Sequence, residues 1–283
     1  MKKKISKYPK IVYKYRNWSD EYNKRVLKDN ELYLSSPTDF NDPFDCRINQ
    51  NLFLLNTPEK QKQYAINVVQ GNRDFLLNDG RNLYEEVEKI ESQLRSDLAR
   101  VQQMDDNIVF SDYNQIMGIL SMSGRWDSIL MWSHYSEKHT GYCIGYYEKK
   151  LRESRKFGHG GNVIYNSNDK FPNIDPLEPD IMVKAITQTH YKAKEWSYEK
   201  EYRFVTLFEP VNPIEPISIV NPLPKPNRIV QLDNEDIAEI IIGLSTPEDV
   251  EEEIIEISKK KGIKIYKATM APRRFKLDRV EYR

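Results

Sequence analysis

The sequence is poor in cysteine: Cys46 and Cys143 are the only two in 283 residues, and they form no CxxC pair. Thiol redox chemistry and a cysteine-based zinc site therefore have no foundation here. Cys143 lies in an alternating strand pattern and reads as a small buried hydrophobe rather than a nucleophile. Long apolar runs are also lacking, since none approaches the roughly 20 residues that span a bilayer. Lys2, Lys3 and Lys4 are not followed by an apolar segment, so no secretory signal is visible. The expected location is a reducing cytoplasm, with no membrane partner. Net charge is absent, because 43 basic side chains meet 43 acidic ones. That balance gives no global electrostatic case for nucleic acid. The lysine start and the Arg273-Arg274 pair read as solvated charge. A GxxxxGK[ST] phosphate loop, a GxSxG elbow and an HExxH helix are all missing. The Gly158-His159-Gly160-Gly161 run lacks the spacing and context of a phosphate loop and reads as a turn.

Hydrophobic residues at 39% supply a substantial core, and eighteen tyrosines supply rings that bury yet still hydrogen-bond. The chain reads as one domain over 1–283, of α+β (or α/β) class. A mixed β-sheet core with flanking helices, a helical insertion at about 57–105 and a C-terminal βαβ unit are expected. Lys10 to Tyr15 alternates as a half-buried strand does. Ser19-Asp20-Glu21 offers an N-cap for a short helix ending near Asp29-Asn30. Glu31 to Ser35 reads as a strand running into a turn-rich loop, residues 36–45, with Pro37 and Pro43. In the insertion Leu83, Val87, Ile90, Leu94 and Leu98 recur at helical spacing, implying two or three helices. Strands follow at Gln115–Ser123 and Gly141–Tyr147, with the His134 helix between them, then a helix over Pro179–Tyr191 and a strand over Glu201–Phe208. The proline-rich stretch Pro210–Pro226 is a connection or an edge. At the C-terminus a strand over Ala238–Leu244 precedes Thr246-Pro247-Glu248-Asp249, a capped helix start with proline in the first turn. Gly262 then supplies the C′ position before a strand over Ile263–Ala268. So tight a connection implies a parallel, right-handed crossover.

Three constellations carry side chains fit for chemistry. Asn41-Asp42-Pro43-Phe44 follows a strand end, where α/β folds place ligands, although a stapled tight turn would explain it equally. Leu130-Met131-Trp132-Ser133-His134-Tyr135 reads as a helix with Met131 and Tyr135 on one face. His134 there suits hydrogen bonding or general acid/base work. The five-residue gap between His134 and His139 does not fit a metal pair, so no metal is expected. In Lys194-Glu195-Trp196-Ser197-Tyr198-Glu199-Lys200-Glu201-Tyr202-Arg203, a strand beginning near Lys200 would put Glu199, Glu201 and Arg203 on one face. Two neighbouring carboxylates split their pKa values and leave one as a proton acceptor. A merely solvated ladder is the alternative. Trp196 could exclude water there or stack on a planar ligand.

These residues, together with Leu34-Ser35-Ser36-Pro37, Phe40 to Phe44, His139, Gly141 and Ile241-Ile242-Gly243, resemble one bacterial family, the domain of unknown function 2971. That resemblance implies no established activity. A more remote likeness joins Arg16, Ser35 and the pair Glu199-x-Glu201 to the Arg, Ser, Glu-x-Glu order of ADP-ribosyltransferases. It implies NAD as substrate, with Arg16 holding the dinucleotide and Ser35 bracing the site. Glu201 would stabilise the oxocarbenium-like ribose, Glu199 would guide the acceptor, and the aromatics would clamp nicotinamide. His134, Tyr135, Trp132, Trp196, Asn41, Asp42 and Arg203 would shape the pocket. The expected protein is an NAD-using effector of toxin or phage-defence type. One alternative is a non-catalytic nucleotide or nucleic-acid sensor, against which the balanced charge argues. A second is a metal-dependent nuclease using Asp42, Glu199 and Glu201.

Overall fold

The computed structural model describes residues 8–208 and 227–282, without the side chains of Asp112 and Tyr113. The lysines at 2–4 and the proline-rich connection at 210–226 lie outside the described residues. Strand β1 (Ile11–Arg16) forms where β-branched and aromatic residues alternate, and it pairs antiparallel along its length with β4 (Tyr142–Tyr147). β3 (Met117–Ser123), β5 (His159–Asn162) and β8 (Glu201–Leu207) extend the sheet on one side, and β10 (Ile237–Ile242), β11 (Lys264–Met270) and β12 (Leu277–Glu281) on the other. The order is β12-β11-β10-β4-β1-β3-β8-β5. Every neighbouring pair is antiparallel except β10–β11. The class is therefore α+β rather than α/β, with a mixed sheet as its core. Two small sheets lie outside it: β2 (Glu31–Tyr33) with β9 (Ile229–Gln231), and β6 (Ile164–Asn166) parallel to β7 (Tyr191–Ala193).

Helices cover both faces. Leu27, in the helix Glu21–Lys28, and Ile254, in the helix Glu248–Lys260, pack with Val12, Ile144, Phe204 and Ile240 on one side. Met131 and Trp132, in the helix Ile129–Tyr135, pack with Tyr13, Tyr15, Cys143 and Ile241 on the other. Asp20 caps the first of these helices through its side chain. The insertion comprises four helices, Pro58–Gly71, Arg73–Asn78, Leu83–Ser96 and Leu98–Ile108. The periodicity alone implied two or three, because Asn72 and Asp97 break the backbone without breaking the apolar pattern. The C-terminal unit has its parallel crossover, and Gly262 takes the left-handed conformation (φ +67°) that the helix end requires. One detail differs. Thr246 does not cap the helix; its hydroxyl donates to the carbonyls of Gly141 and Gly243, and Pro247 stands at the N-cap position. Among the described residues, no helix is long and apolar enough to cross a membrane.

Candidate functional site

β1 and β3 are joined by a single residue pair, Tyr13 opposite Ser123. Lys14 occupies the split beside this junction, its Nζ donating to the Ser121 carbonyl at 2.7 Å. A cavity of about 150 Å³ opens here, lined by residues of β1, β3 and β8 and by Phe40, Asn41, Asp45, Tyr135 and Lys192.

On β8, Glu201 and Arg203 share a face because they are two residues apart in a strand. Glu199 reaches the same place by another route. It ends a short 3-10 helix, Lys194–Glu199, and Lys200 then turns the chain in a left-handed conformation (φ +46°) before β8 begins. The Ser123 hydroxyl fixes this turn by donating to the Glu199 carbonyl at 2.5 Å. The strand expected to begin near Lys200 thus starts one residue later, after a turn, yet the two carboxylates still converge on one amine. Lys192 Nζ lies 2.8 Å from Glu199 Oε2 and 3.3 Å from Glu201 Oε2.

The network extends to Arg203, whose Nε donates to Glu201 Oε1 at 2.6 Å and whose Nη1 and Nη2 grip Asp45 at 2.7 and 2.5 Å. The Tyr135 hydroxyl donates to Glu199 Oε1 at 2.7 Å. Glu199, Glu201, Asp45, Lys192 and Arg203 are all buried. Two cations among three carboxylates make these groups strongly interdependent. Burial alone would raise Glu201, but Arg203 and Lys192 outweigh it and hold this carboxyl below its usual range. Glu199 goes the other way: burial raises it, the neighbouring charge of Glu201 adds to the effect, and Lys192 and Tyr135 only partly offset them. The two carboxylates are therefore split, with Glu199 the one that takes a proton first.

The opposite wall is basic. Lys14 and Arg16 face the cavity, and neither has a carboxylate within ion-pair distance among the described residues. Arg16 Nε is buried without a hydrogen-bond partner. Burial, aided by the charge of Arg16 and only partly offset by that of Glu201, pushes the Lys14 amine well below its ordinary value. An enclosed positive wall of this kind favours an anion, because a buried charge without a counterion is costly.

Of the residues singled out in the sequence, Arg16, Asn41, Tyr135, Glu199, Glu201 and Arg203 line this one cavity. The others stand elsewhere. Asp42 lines a different cavity, so Asp42, Glu199 and Glu201 do not form the carboxylate cluster a nuclease reading needs. Among the described residues, no group of three or more His, Cys, Asp and Glu side chains is placed to hold a metal ion. Ser35 bridges through its backbone to Ile119 rather than bracing the carboxylates. Trp132 is wholly buried, with Nε1 donating to the Trp126 carbonyl at 2.7 Å, and it serves the core. Trp196 lies under Lys192, whose Nζ is 4.6 Å from the ring centroid, and so supports the network from outside.

His134 is exposed, flanked by Tyr135 and Tyr198, and does not line the cavity. Its helix matters because the face that carries Met131 and Tyr135 is the face turned inward. The helix ends in three left-handed residues, Glu137, Lys138 and His139. Gly141 and Gly243 then bring three chain segments into contact. A Cβ on Gly141 would lie 2.1 Å from the Arg16 carbonyl, and one on Gly243 would lie 2.2 Å from that of His139. These motif positions hold the end of β1, and hence Arg16, in place.

Sequence reasoning missed Lys14, Lys192 and Asp45. Lys14 had a signal, as the one charged residue within an otherwise apolar and aromatic stretch, Ile11 to Tyr15. Lys192 and Asp45 had none, since their partners lie far off in sequence or across a turn.

Residues 131–204, from the Trp132 helix to the middle of β8, match the family model described as "Protein of unknown function (DUF2971)". No curated protein and no solved structure matches the chain. The matched segment includes Tyr135, Lys192, Glu199, Glu201 and Arg203, and in that segment the chain resembles the DUF2971 family.

Proposed function

We propose that the cavity binds a nucleotide through its phosphates and cleaves the N-glycosidic bond, as in ADP-ribosyl transfer, with NAD as substrate. The observation that carries this reading is the pairing of two walls: Lys14 and Arg16, neither of them in an ion pair among the described residues, line the same space as Glu199. A pyrophosphate group would supply the missing negative charge. The bond from ribose C1′ to the nicotinamide nitrogen breaks, and the electron pair leaves with nicotinamide. The ribosyl carbon becomes oxocarbenium-like, and the Glu199 carboxylate offsets its developing charge. An acceptor hydroxyl forms the new C1′–O bond, and its proton passes to Glu199.

Glu199 takes the part that the ADP-ribosyltransferase likeness gives to Glu201. Arg203 and Lys192 hold Glu201 below the usual carboxylate range as the centre of the network, whereas Glu199 is the carboxylate raised toward a proton. The cavity, at about 150 Å³, is too small for a whole dinucleotide, so part of NAD lies outside it. The biological role proposed is that of a bacterial effector of toxin or phage-defence type. A reducing cytoplasm suits its two buried free thiols, Cys46 and Cys143.

The second reading is a nucleotide sensor without turnover. It is favoured by the hydrogen bonds that already engage both Glu199 oxygens, from Tyr135 and from Lys192. NAD consumption by the wild type and by Glu199→Gln, with cell lysate supplying acceptors, decides between them alongside a thermal shift with NAD. Turnover lost in Glu199→Gln supports the transferase reading, and a shift without turnover supports the sensor. Neither turnover nor shift would contradict both.

A further inference from the structure

Beyond Lys192 lies a second cavity of about 350 Å³, within the size range of small-molecule sites. Lys192 lines both cavities, so its side chain is a shared wall. The other walls come from the turn around Asp42 and Phe44, from Ile48 and from the loop around Asn168 and Phe171. Phe44 and Phe171 are 65% and 53% exposed, far more than is usual for phenylalanine, and their rings meet at 64° with centroids 6.5 Å apart. Together they make an aromatic corner on which a flat ring can stack against one face and meet the other edge-on.

Asp42 gives this corner a polar direction. The residue is only 5% exposed, yet it lines the cavity. Its Oδ1 accepts the Phe44 backbone N–H at 2.9 Å, and Oδ2 has no partner among the described residues. That oxygen opens onto the cavity, where it can accept an N–H. Asp42, Asp169 and Glu195 stand in this wall with Lys170 and Lys194, while Lys192 is already paired with Glu199, Glu201 and Asp45. The Asp42 carboxylate suits a ring that bears N–H donors.

We propose that this second cavity binds an amino-substituted heteroaromatic ring of the nucleobase class, with its amino group donating to Asp42 and its face against Phe44 or Phe171. Binding here does not depend on turnover in the first cavity; only a role as the acceptor subsite rests on the transferase reading. The test uses nucleosides, which carry no phosphate and so make no demand on Lys14 or Arg16. Adenosine is titrated into the full chain by calorimetry and compared with purine riboside, which lacks the amino group. Adenosine should bind at least tenfold more tightly, and Asp42→Asn should remove that preference while keeping an oxygen to accept the Phe44 N–H. Phe171→Ala, at an exposed position, should weaken adenosine at least tenfold, and Lys14→Met should leave it unchanged. The proposal is overturned by absence of saturable adenosine binding to the folded wild type, by binding indifferent to both Phe171→Ala and Asp42→Asn, or by preferential binding of methylguanidinium. Loss of NAD binding with adenosine binding retained would remove the first reading and leave this one standing.

Discussion

Arg203 grips Asp45 with two parallel hydrogen bonds, Nη1 to Oδ1 at 2.7 Å and Nη2 to Oδ2 at 2.5 Å. This bidentate pair ties the turn after Asn41 to β8 and so joins the loop and strand walls of the cavity. Asp45→Ala leaves the buried guanidinium with Glu201 as its one remaining carboxylate partner. A loss of about 3–5 kcal/mol is expected, as for other buried pairs deprived of one member. Urea denaturation measures it, and a loss under 1 kcal/mol would show that the pair does not hold the loop.

The Tyr135 hydroxyl donates to Glu199 and so favours the ionised carboxylate. Its removal in Tyr135→Phe should raise Glu199 further. Turnover that needs ionised Glu199 rises with pH through that ionisation. The acid limb of the rate profile should therefore move to higher pH in the variant, with the plateau reached later. An unmoved limb would mean that Glu199 does not control the rate.

Lys14 is held in an enclosed place without a carboxylate partner, which costs stability until an anion arrives. Lys14→Met should make the ligand-free protein more stable by about 1 kcal/mol or more, raising Tm by a few degrees. A lower Tm would place Lys14 among the structural residues instead.

Gly141→Ala sets a methyl group against the Arg16 carbonyl, where backbone rather than a yielding side chain is in the way. A loss of about 1–3 kcal/mol is expected from overpacking. Because the clash is at Arg16 itself, NAD affinity should fall as well. Unchanged affinity in a destabilised variant would show that Arg16 is positioned by other contacts.

Much of the scaffold was legible because local rules suffice for it. Alternation located β1 and β8, and the proline, acidic and glycine pattern of residues 246–262 located the crossover helix. Helical spacing also put Met131 and Tyr135 on one face, and that face is the one turned toward the site. The same geometry explains why His134, off that face, is exposed and does not line the cavity. Glu199 shares the site with Glu201 and Arg203, but it reaches it from the end of a 3-10 helix rather than by strand alternation. A lysine in a left-handed conformation has no local signature, so the turn at Lys200 was invisible. Lys14 reaches the cavity through long-range strand order, and Lys192 meets Asp45 across the fold, which no window of sequence carries. The pairing of β1 with β3 at a single point, which opens the split for Lys14, belongs to the same class.

The most direct test of the central claim is calorimetric titration of NAD into the wild type and Lys14→Met, each in two buffers of different ionisation enthalpy. An anion settling beside Lys14 raises the depressed pKa of its amine, so the wild type should take up protons on binding. The buffer dependence of the enthalpy should therefore be present in the wild type and absent in Lys14→Met, which should also bind at least tenfold more weakly. Equal affinity and no proton uptake in either protein would contradict an anion-binding wall at Lys14 and Arg16.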